Sequence, residues 1–509
     1  MNRELNGGLI IIKSTLSVDL NNQISKIDPR IWGSFTEHLG RCVYEGIYQP
    51  DHPTADEDGF RKDVIDAVKK LKVPLIRYPG GNFVSGYNWE DGIGPKDQRP
   101  KRLDLAWRSL ETNQFGLHEF MKWCAKVDAK PDMAVNLGTR GVDEARNLVE
   151  YCNFPKGTYW SDLRRKNGAE KPFNIKVWSV GNEMDGDWQV GHKTAHEYGC
   201  LVHETAKAMR LVDPSVELVA CGSSNHQNAT FGSWEETVLD NAFDDVDYLS
   251  LHQYYDNFDD NLSEFLGKSV DFDRFITGVV AICDSVAARK RSTKQINLAF
   301  DEWNVWYHSM GDDKKQKPWT QAPHLLEDHY NFEDALLVGS LAITLLKHAD
   351  RVKIGCLAQL INVIAPIMTN TTGDPSVWYQ TIFYPFMQVS NFGQGIALKP
   401  DTDVPTYKAK DYEVPYTDSI ATYNPETHET VVFIVNKSTN KVPFTLNLSN
   451  AKFDHVVDAT QFAGYDIHQT NEDQSMGLEP LKRVTVEENQ AKAELAPLSW
   501  NMIRISTEV

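Results

Sequence analysis

The sequence predicts an α/β protein: a (β/α)8 TIM barrel joined to a second domain, a β-sandwich of jelly-roll type. Three observations carry this. Between residues 27 and 390, eight short apolar segments alternate with amphipathic helical patterns. Those segments end in carboxylates, amides and aromatics, and an α/β barrel presents its chemistry at the C-terminal ends of its strands. Near residue 396 the texture changes to short alternating strands separated by turn residues, the mark of an all-β module.

The candidate barrel strands are 31–38, 74–78, 131–137, 175–180, 216–220, 246–251, 296–300 and 352–357. Helical faces follow them. Val64, Ile65, Val68 and Leu71 share one face, as do Phe120, Trp123, Cys124 and Val127, and later Phe332, Leu336, Gly339, Ile343 and Leu346. Thr194 with Glu197, and Ser233 with Glu236, read as helix starts in which a hydroxyl and a carboxylate satisfy free backbone N–H groups. An eighth helix is expected from near Trp378. No GxGxxG follows an early strand, which argues against a doubly wound dinucleotide-binding sheet.

Sandwich strands are expected at 419–423, 430–435, 443–448, 484–487 and 502–505, with turns at 424–427 and 436–440. The run Leu9-Ile10-Ile11-Ile12, continued by Leu16, Val18 and Leu20, reads as a strand without a helix of its own. It is expected to pair into the sandwich, which gives a barrel of residues 27–390 and a sandwich built from 1–26 and 391–509.

The bulk properties exclude other classes. With 509 residues, 41% hydrophobic and 24% charged, the chain is globular rather than disordered. A net charge of -19 leaves no basic excess for nucleic acid. No apolar run approaches the ~20 residues of a membrane span. Seven cysteines, an odd number without a CxxC pair, suggest buried thiols in a reduced, cytoplasmic setting.

At the strand tips two glutamates stand out, Glu183 after the fourth strand and Glu302 at the seventh. Two carboxylates flanking a glycosidic bond are the minimum equipment for its hydrolysis, one donating a proton and the other attacking or activating water. Trp107, Tyr254, Trp303 and Trp306 supply apolar faces for a sugar ring. Glu37 could instead be a structural partner of Arg41. His38 and His252 lack metal-ligand spacing and read as hydrogen-bonded histidines, so no metal or cofactor is expected. Asp301 is expected to orient loop or backbone, because neighbouring strand residues point to opposite faces. Trp303 reads as rim packing and 312–315 as a solvated loop.

Five motifs then occur in order: Phe-Thr-Glu-His-Leu-Gly-Arg (35–41), Arg-Tyr-Pro-Gly-Gly-Asn-Phe (77–83), Trp-Ser-Val-Gly-Asn-Glu-Met-Asp-Gly (178–186), Asp-Glu-Trp-Asn-Val-Trp (301–306) and Ala-Gln-Leu-Ile-Asn-Val (358–363). Together they resemble the motif set of the α-L-arabinofuranosidases of glycoside hydrolase family 51. The resemblance implies a retaining double displacement with Glu183 as acid/base and Glu302 as nucleophile. It implies that Asn182 holds the sugar 2-OH, that Arg77 and Tyr254 orient the nucleophile, and that Glu37, Asn82 and Gln359 bind furanose hydroxyls. His252 would lie beside the acid/base, with Trp107 and Trp306 walling the pocket.

On this reading Arg77 keeps Glu302 ionised while Glu302 raises the pKa of Glu183, and the two carboxyl groups should stand ~5 Å apart. The substrates would be arabino- or arabinoxylo-oligosaccharides. Linkage preference (1,2, 1,3 or 1,5) rests on loop shapes, such as that of 310–323, that the motifs do not specify. The resemblance also implies a homo-oligomer, a hexamer. Another retaining barrel glycosidase, a β-xylosidase or endoglucanase, and a non-catalytic carbohydrate-binding protein are the alternatives.

Overall fold

The computed structural model describes residues 12–370 and 376–508. Eight parallel strands close into a barrel in chain order: Gly33–Phe35, Leu75–Tyr78, Lys130–Val135, Val177–Val180, Glu217–Cys221, Tyr248–Tyr255, Asn297–Val305 and Val352–Leu357. The last closes on the first, Cys356 beside Gly33 and Leu357 beside Ser34. The strands are buried on both faces, inward by each other's side chains and outward by helices, so they read as near-continuous apolar runs. Helices Lys62–Leu71, Leu117–Lys126, Val142–Asn153, Ala195–Val212, Ser233–Ala242, Lys268–Arg289, Phe332–Lys347 and Phe383–Phe392 follow the strands in turn.

Several boundaries differ from the sequence reading, each for a local reason. The first strand is only three residues long, because Pro29–Trp32 forms a short 3-10 turn capped by Asp28. The seventh runs on to Val305, so Glu302 lies within it rather than beyond its tip. Thr194 and Glu197 do form a reciprocal cap, but the next helix is capped one residue earlier: Gly232 N–H donates to Glu235, not Ser233 to Glu236. The eighth helix starts at Phe383, not near Trp378. The aromatic stretch Val377–Tyr379 pairs instead as a strand with Ile367–Thr369.

Among the described residues the C-terminal module has two large sheets and a two-stranded hairpin, Thr406–Ala409 with Tyr412–Pro415. Five strands run in the order Asp401–Asp403, Ser14–Asp19, Val442–Ser449, Gln490–Leu495 and Thr485–Glu487. Seven run in the order Gln23–Lys26, Ile396–Leu398, Thr417–Asn424, Glu429–Asn436, Ser499–Glu508, Lys452–Phe462 and Glu479–Pro480. Ser14–Asp19 pairs in parallel with Val442–Ser449, placing Leu16 beside Leu446 and Val18 beside Leu448; Leu9, Ile10 and Ile11 lie outside the described residues. The long strand Lys452–Phe462 escapes the alternation test because its register slips twice, at Phe453–Val456 and at Val456–Asp458.

Strand Glu429–Asn436 explains how the two domains join. Val432 and Ile434 face the sandwich interior, while Val431, Phe433 and Val435 belong to the barrel's core. Against that second face packs helix Phe332–Lys347, apolar almost all round and buried from Phe332 to Leu346. Its Gly339 is required there: a Cβ would sit 2.6 Å from Trp500 Cε3. The edge of the contact is ionic. Asp418 lies 2.6 Å from Lys437 and 3.4 Å from Lys347, and Ser269 bridges Asp418 and Lys437 from helix Lys268–Arg289.

Removing one member of a buried pair strands the other's charge, at a cost of about 3–5 kcal/mol. Asp418→Asn should therefore lower the thermal midpoint measurably, and adding Lys437→Met should recover most of the loss. An Asp418→Asn variant as stable as the parent would contradict this account of the joint.

Candidate active site

The site is built where the barrel strands end, and Arg77 stands at its centre. Arg77 is fully buried at the tip region of the second strand, its guanidinium 5.1 Å above the Phe35 ring. Nη1 donates to Glu302 Oε1 at 2.7 Å, Nη2 donates to Asn182 Oδ1 at 2.7 Å, and Nε faces Asp301 Oδ2 at 3.2 Å. One cation thus fixes three polar groups from two other strands. Tyr254 donates to the other oxygen of Glu302 at 2.8 Å.

Glu183 sits just past the fourth strand. Gly181 (φ +96°) turns the chain there, and Glu183 itself takes φ +43°, a left-handed conformation rare for a side chain with a Cβ. Tyr198 ties the fourth strand to the fifth, donating to Val180 O and accepting from Cys221 N–H. The Glu183 carboxylate meets His252 Nδ1 at 2.9 Å through Oε1 and accepts from Trp188 Nε1 at 2.7 Å through Oε2.

One oxygen of Glu183, one of Glu302 and a ring nitrogen of His252 all lie within 4.8 Å of one another. Among the described residues these are the one group of three or more close enough to share a cation; Arg77 and Tyr254 donate to the two oxygens of Glu302, and Trp188 donates to Glu183. Burial pushes the Glu183 carboxyl up from its ordinary value and Glu302's charge adds to this, against hydrogen bonds from His252 and Trp188.

Glu37 lies under the Pro-Gly-Gly turn. It accepts from Phe83 N–H at 2.8 Å, from Trp107 Nε1 at 2.9 Å and from Gln359 Nε2 at 3.3 Å, and burial pushes it up to about 8. It does not pair with Arg41, which takes Glu327 at 2.6 Å. The glycines let backbone approach this close, since a Cβ on Gly81 would fall 2.6 Å from Glu37 Oε2. Asn82 accepts from Asn182 at 3.3 Å. Gln359 Oε1 and Trp306 Nε1 are buried polar atoms without a partner in the protein, the kind of group that ligand hydroxyls satisfy. Trp306 stands edge-on to Tyr254 at 5.8 Å. Together with Trp107 and the segment 310–326 it lines a cavity of about 590 Å³, within the range of small-ligand pockets.

All eleven residues singled out from the sequence for catalysis, sugar binding or orientation come together here: Glu37, Arg77, Asn82, Trp107, Asn182, Glu183, His252, Tyr254, Glu302, Trp306 and Gln359. Two expectations for their neighbours fail. Asp301 points inward, not to the opposite face from Glu302: its Oδ1 lies 3.1 Å from His252 Nε2. The alternation breaks because register slips occur along both edges of the seventh strand. Trp303 is not at the rim but wholly buried, near Phe272 and Phe386. In 312–315, Asp312, Lys314 and Lys315 are exposed, in line with a solvated segment, and only Asp313 departs from it, being half-buried and accepting from Leu326 N–H and Ser309.

His38 bonds to Glu111 and Tyr78, both at 2.8 Å. Sequence reasoning also missed Trp188, which donates to Glu183, Gln189, which accepts from Asn182 at 3.4 Å, and Asp132, which accepts from Ser179 at 3.1 Å. Asp132, a lone carboxylate in an apolar strand that burial pushes up to about 7, was the one with a visible signal.

A barrel presenting two close carboxylates beside buried hydrogen-bonding groups defines a glycoside hydrolase. The models for the "Alpha-L-arabinofuranosidase 1 domain" and the "Alpha-L-arabinofuranosidase C-terminal domain" match residues 67–269 and 301–499. Curated relatives include the intracellular exo-α-(1→5)-L-arabinofuranosidase 1 of Bacillus subtilis, 55% identical over 97% of this chain and 99% of its own. They also include an exo-α-(1→6)-L-arabinofuranosidase of Bifidobacterium longum, 48% identical over 97% of both. A solved family 51 α-L-arabinofuranosidase from Bifidobacterium longum superposes with a TM-score of 0.92 at 42% identity, covering 97% of this chain and 99% of that one. An arabinose complex of the enzyme from Thermotoga maritima gives 0.86 at 32% identity, covering 98% and 100%. The chain belongs to the α-L-arabinofuranosidases of glycoside hydrolase family 51.

The geometry around Glu37 is directly testable. Gly81→Ala forces its carboxylate away from Phe83 N–H and Trp107, so KM for an arabinofuranoside should rise about tenfold or more, a loss of ~1–3 kcal/mol typical of overpacking. An unchanged KM would mean that Glu37 is not held by this turn.

Proposed function

We propose that the protein is a retaining exo-enzyme that releases terminal α-L-arabinofuranosyl residues from arabino- and arabinoxylo-oligosaccharides. The observation that carries this is the approach of a Glu183 and a Glu302 oxygen to within 4.8 Å. Retaining enzymes hold their carboxyl groups ~5 Å apart, inverting ones at ~6.5–9.5 Å to leave room for water.

In the first step Glu302 attacks the anomeric carbon while Glu183 protonates the departing oxygen. Arg77 and Tyr254, each bonded to one oxygen of Glu302, hold the carboxylate aimed before the substrate arrives. Once Glu302 is esterified its negative charge is gone, Glu183 ionises more readily, and it draws a proton from the attacking water. Asn182, locked by Arg77, is placed to hold the 2-OH. Glu37, Asn82, Gln359 and the indole edges of Trp107 and Trp306 take the remaining hydroxyls and ring faces. The cavity between Trp107, Trp306 and 310–326 receives the rest of the oligosaccharide.

Four relatives at 50–56% identity are named as intracellular exo-α-(1→5)-L-arabinofuranosidases. These names support 1,5-linked oligosaccharides as substrates and a cytoplasmic location. A homo-oligomer, hexameric by resemblance, is part of the same proposal.

Glu302→Ala should cost about 10⁴-fold or more in kcat. Glu183→Ala should keep turning over 4-nitrophenyl α-L-arabinofuranoside slowly and yield the α-linked azide when azide is added. Equal activity on the β-D-xyloside, or an unimpaired Glu183→Ala, would overturn the assignment.

The acid must be protonated to act. kcat/KM on an arabino-oligosaccharide should therefore fall as pH rises through the raised Glu183 pKa, and Glu183→Ala should lose that limb. A limb unaltered by the substitution would assign it to another group.

A further inference from the structure

We infer that Asp301 is a positioning residue that couples the two catalytic glutamates. It holds His252 in the tautomer that exchanges a proton with Glu183, and it shares Arg77 with Glu302. This rests on the roles proposed above for Glu183 and Glu302.

The geometry is that of a buried carboxylate with two partners. Asp301 is 1% exposed, its Oδ1 lies 3.1 Å from His252 Nε2, and its Oδ2 lies 3.2 Å from Arg77 Nε. An ionised carboxylate can only accept, so the hydrogen between Asp301 and His252 belongs to Nε2. That leaves Nδ1 facing Glu183 at 2.9 Å. Two arrangements of one proton satisfy this contact: carboxylic acid against a bare Nδ1, or carboxylate against an imidazolium. His252 and Glu183 thus hold a common proton, available to the leaving oxygen and recoverable from water. A histidine with Nδ1 protonated and Nε2 bare would set a lone pair against Asp301.

The surrounding charges favour this arrangement. Burial alone would disfavour a charged His252, but Glu302, Asp301 and Glu183 outweigh it and raise its pKa well above the ordinary value. The other titratable groups facing this centre are Arg77 from the second strand, Asp132 from the third, Cys221 from the fifth, Tyr254 from the sixth and Cys356 from the eighth, with Tyr198 behind. On the other side of Arg77, Asp301 and Glu302 divide one guanidinium. Asp301 therefore limits how far Arg77 quenches the nucleophile. Among the described residues the other carboxylate that reaches both His252 and Arg77 is Glu302, whose Oε2 lies 3.5 Å from His252 Nδ1 and whose Oε1 lies 2.7 Å from Arg77 Nη1.

The sign of the effect follows. Removing a buried negative charge lowers the proton affinity of the Glu183–His252 pair. In Asp301→Asn the alkaline limb of kcat/KM should move to lower pH by about one unit, a shift typical of a neighbouring charge. The loss at the optimum should be larger for an arabino-oligosaccharide, which needs the proton, than for an activated aryl arabinofuranoside. Asp301→Glu should return the limb toward its original position.

A rate loss with the limb unmoved or moved to higher pH would reduce Asp301 to a structural residue. Nitrogen-15 shifts of His252 in the unsubstituted protein give a second reading that needs no variant to fold. Nε2 should stay protonated while Nδ1 titrates, and a bare Nε2 would overturn the inference. That reading is independent of turnover: if no arabinofuranoside is hydrolysed, the proposed function fails while the tautomer can still be decided.

Discussion

The site depends on one buried guanidinium. Arg77 gives up hydration to lie at the centre of the barrel, and an unpaired charge there would be prohibitively costly. Glu302, Asp301 and Asn182 offset that cost, and in doing so they are held in place. Glu302, Asp301 and Asn182 are therefore set by one side chain. Neutralising or shortening Arg77 would disturb all three together, which is why their individual contributions cannot be expected to add.

Around this cation the barrel supplies departures from regular geometry at the points where chemistry is needed. Register slips along the seventh strand turn both Asp301 and Glu302 inward. A left-handed residue places Glu183 just past the fourth strand, and paired glycines admit Glu37 beneath the second strand's turn. Such features need a rigid frame. Helix Phe332–Lys347, clamped between the barrel and the sandwich, provides part of it. None of the eleven site residues comes from the sandwich.

Much of this was legible in the sequence because burial leaves a clear pattern. Eight apolar segments gave eight strands, and polar tips gave the face that carries the site. The residues that failed are those where local geometry overrides periodicity. Asp301 was assigned to the wrong face because no alternation rule anticipates a bulge. Trp303, its neighbour but one, was placed at the rim for the same reason, although it sits in the core. Trp188, half exposed and five residues past Glu183, looks like any surface aromatic until its Nε1 is seen to donate to the carboxylate. The strand Val377–Tyr379 was read as helix because three residues are too few to display a period.

The central claim is that Glu302, held by Arg77, forms a bond to the sugar while Glu183 supplies and recovers the proton. An arabinofuranoside carrying fluorine at C2 and a good leaving group tests it most directly, since fluorine slows both formation and breakdown of a glycosyl-enzyme while the good leaving group restores formation alone. Mass spectrometry of the digested protein should then find the fluorinated sugar on the peptide containing Glu302. Finding it on Glu183, or finding no covalent adduct while the substrate is consumed, would contradict the account.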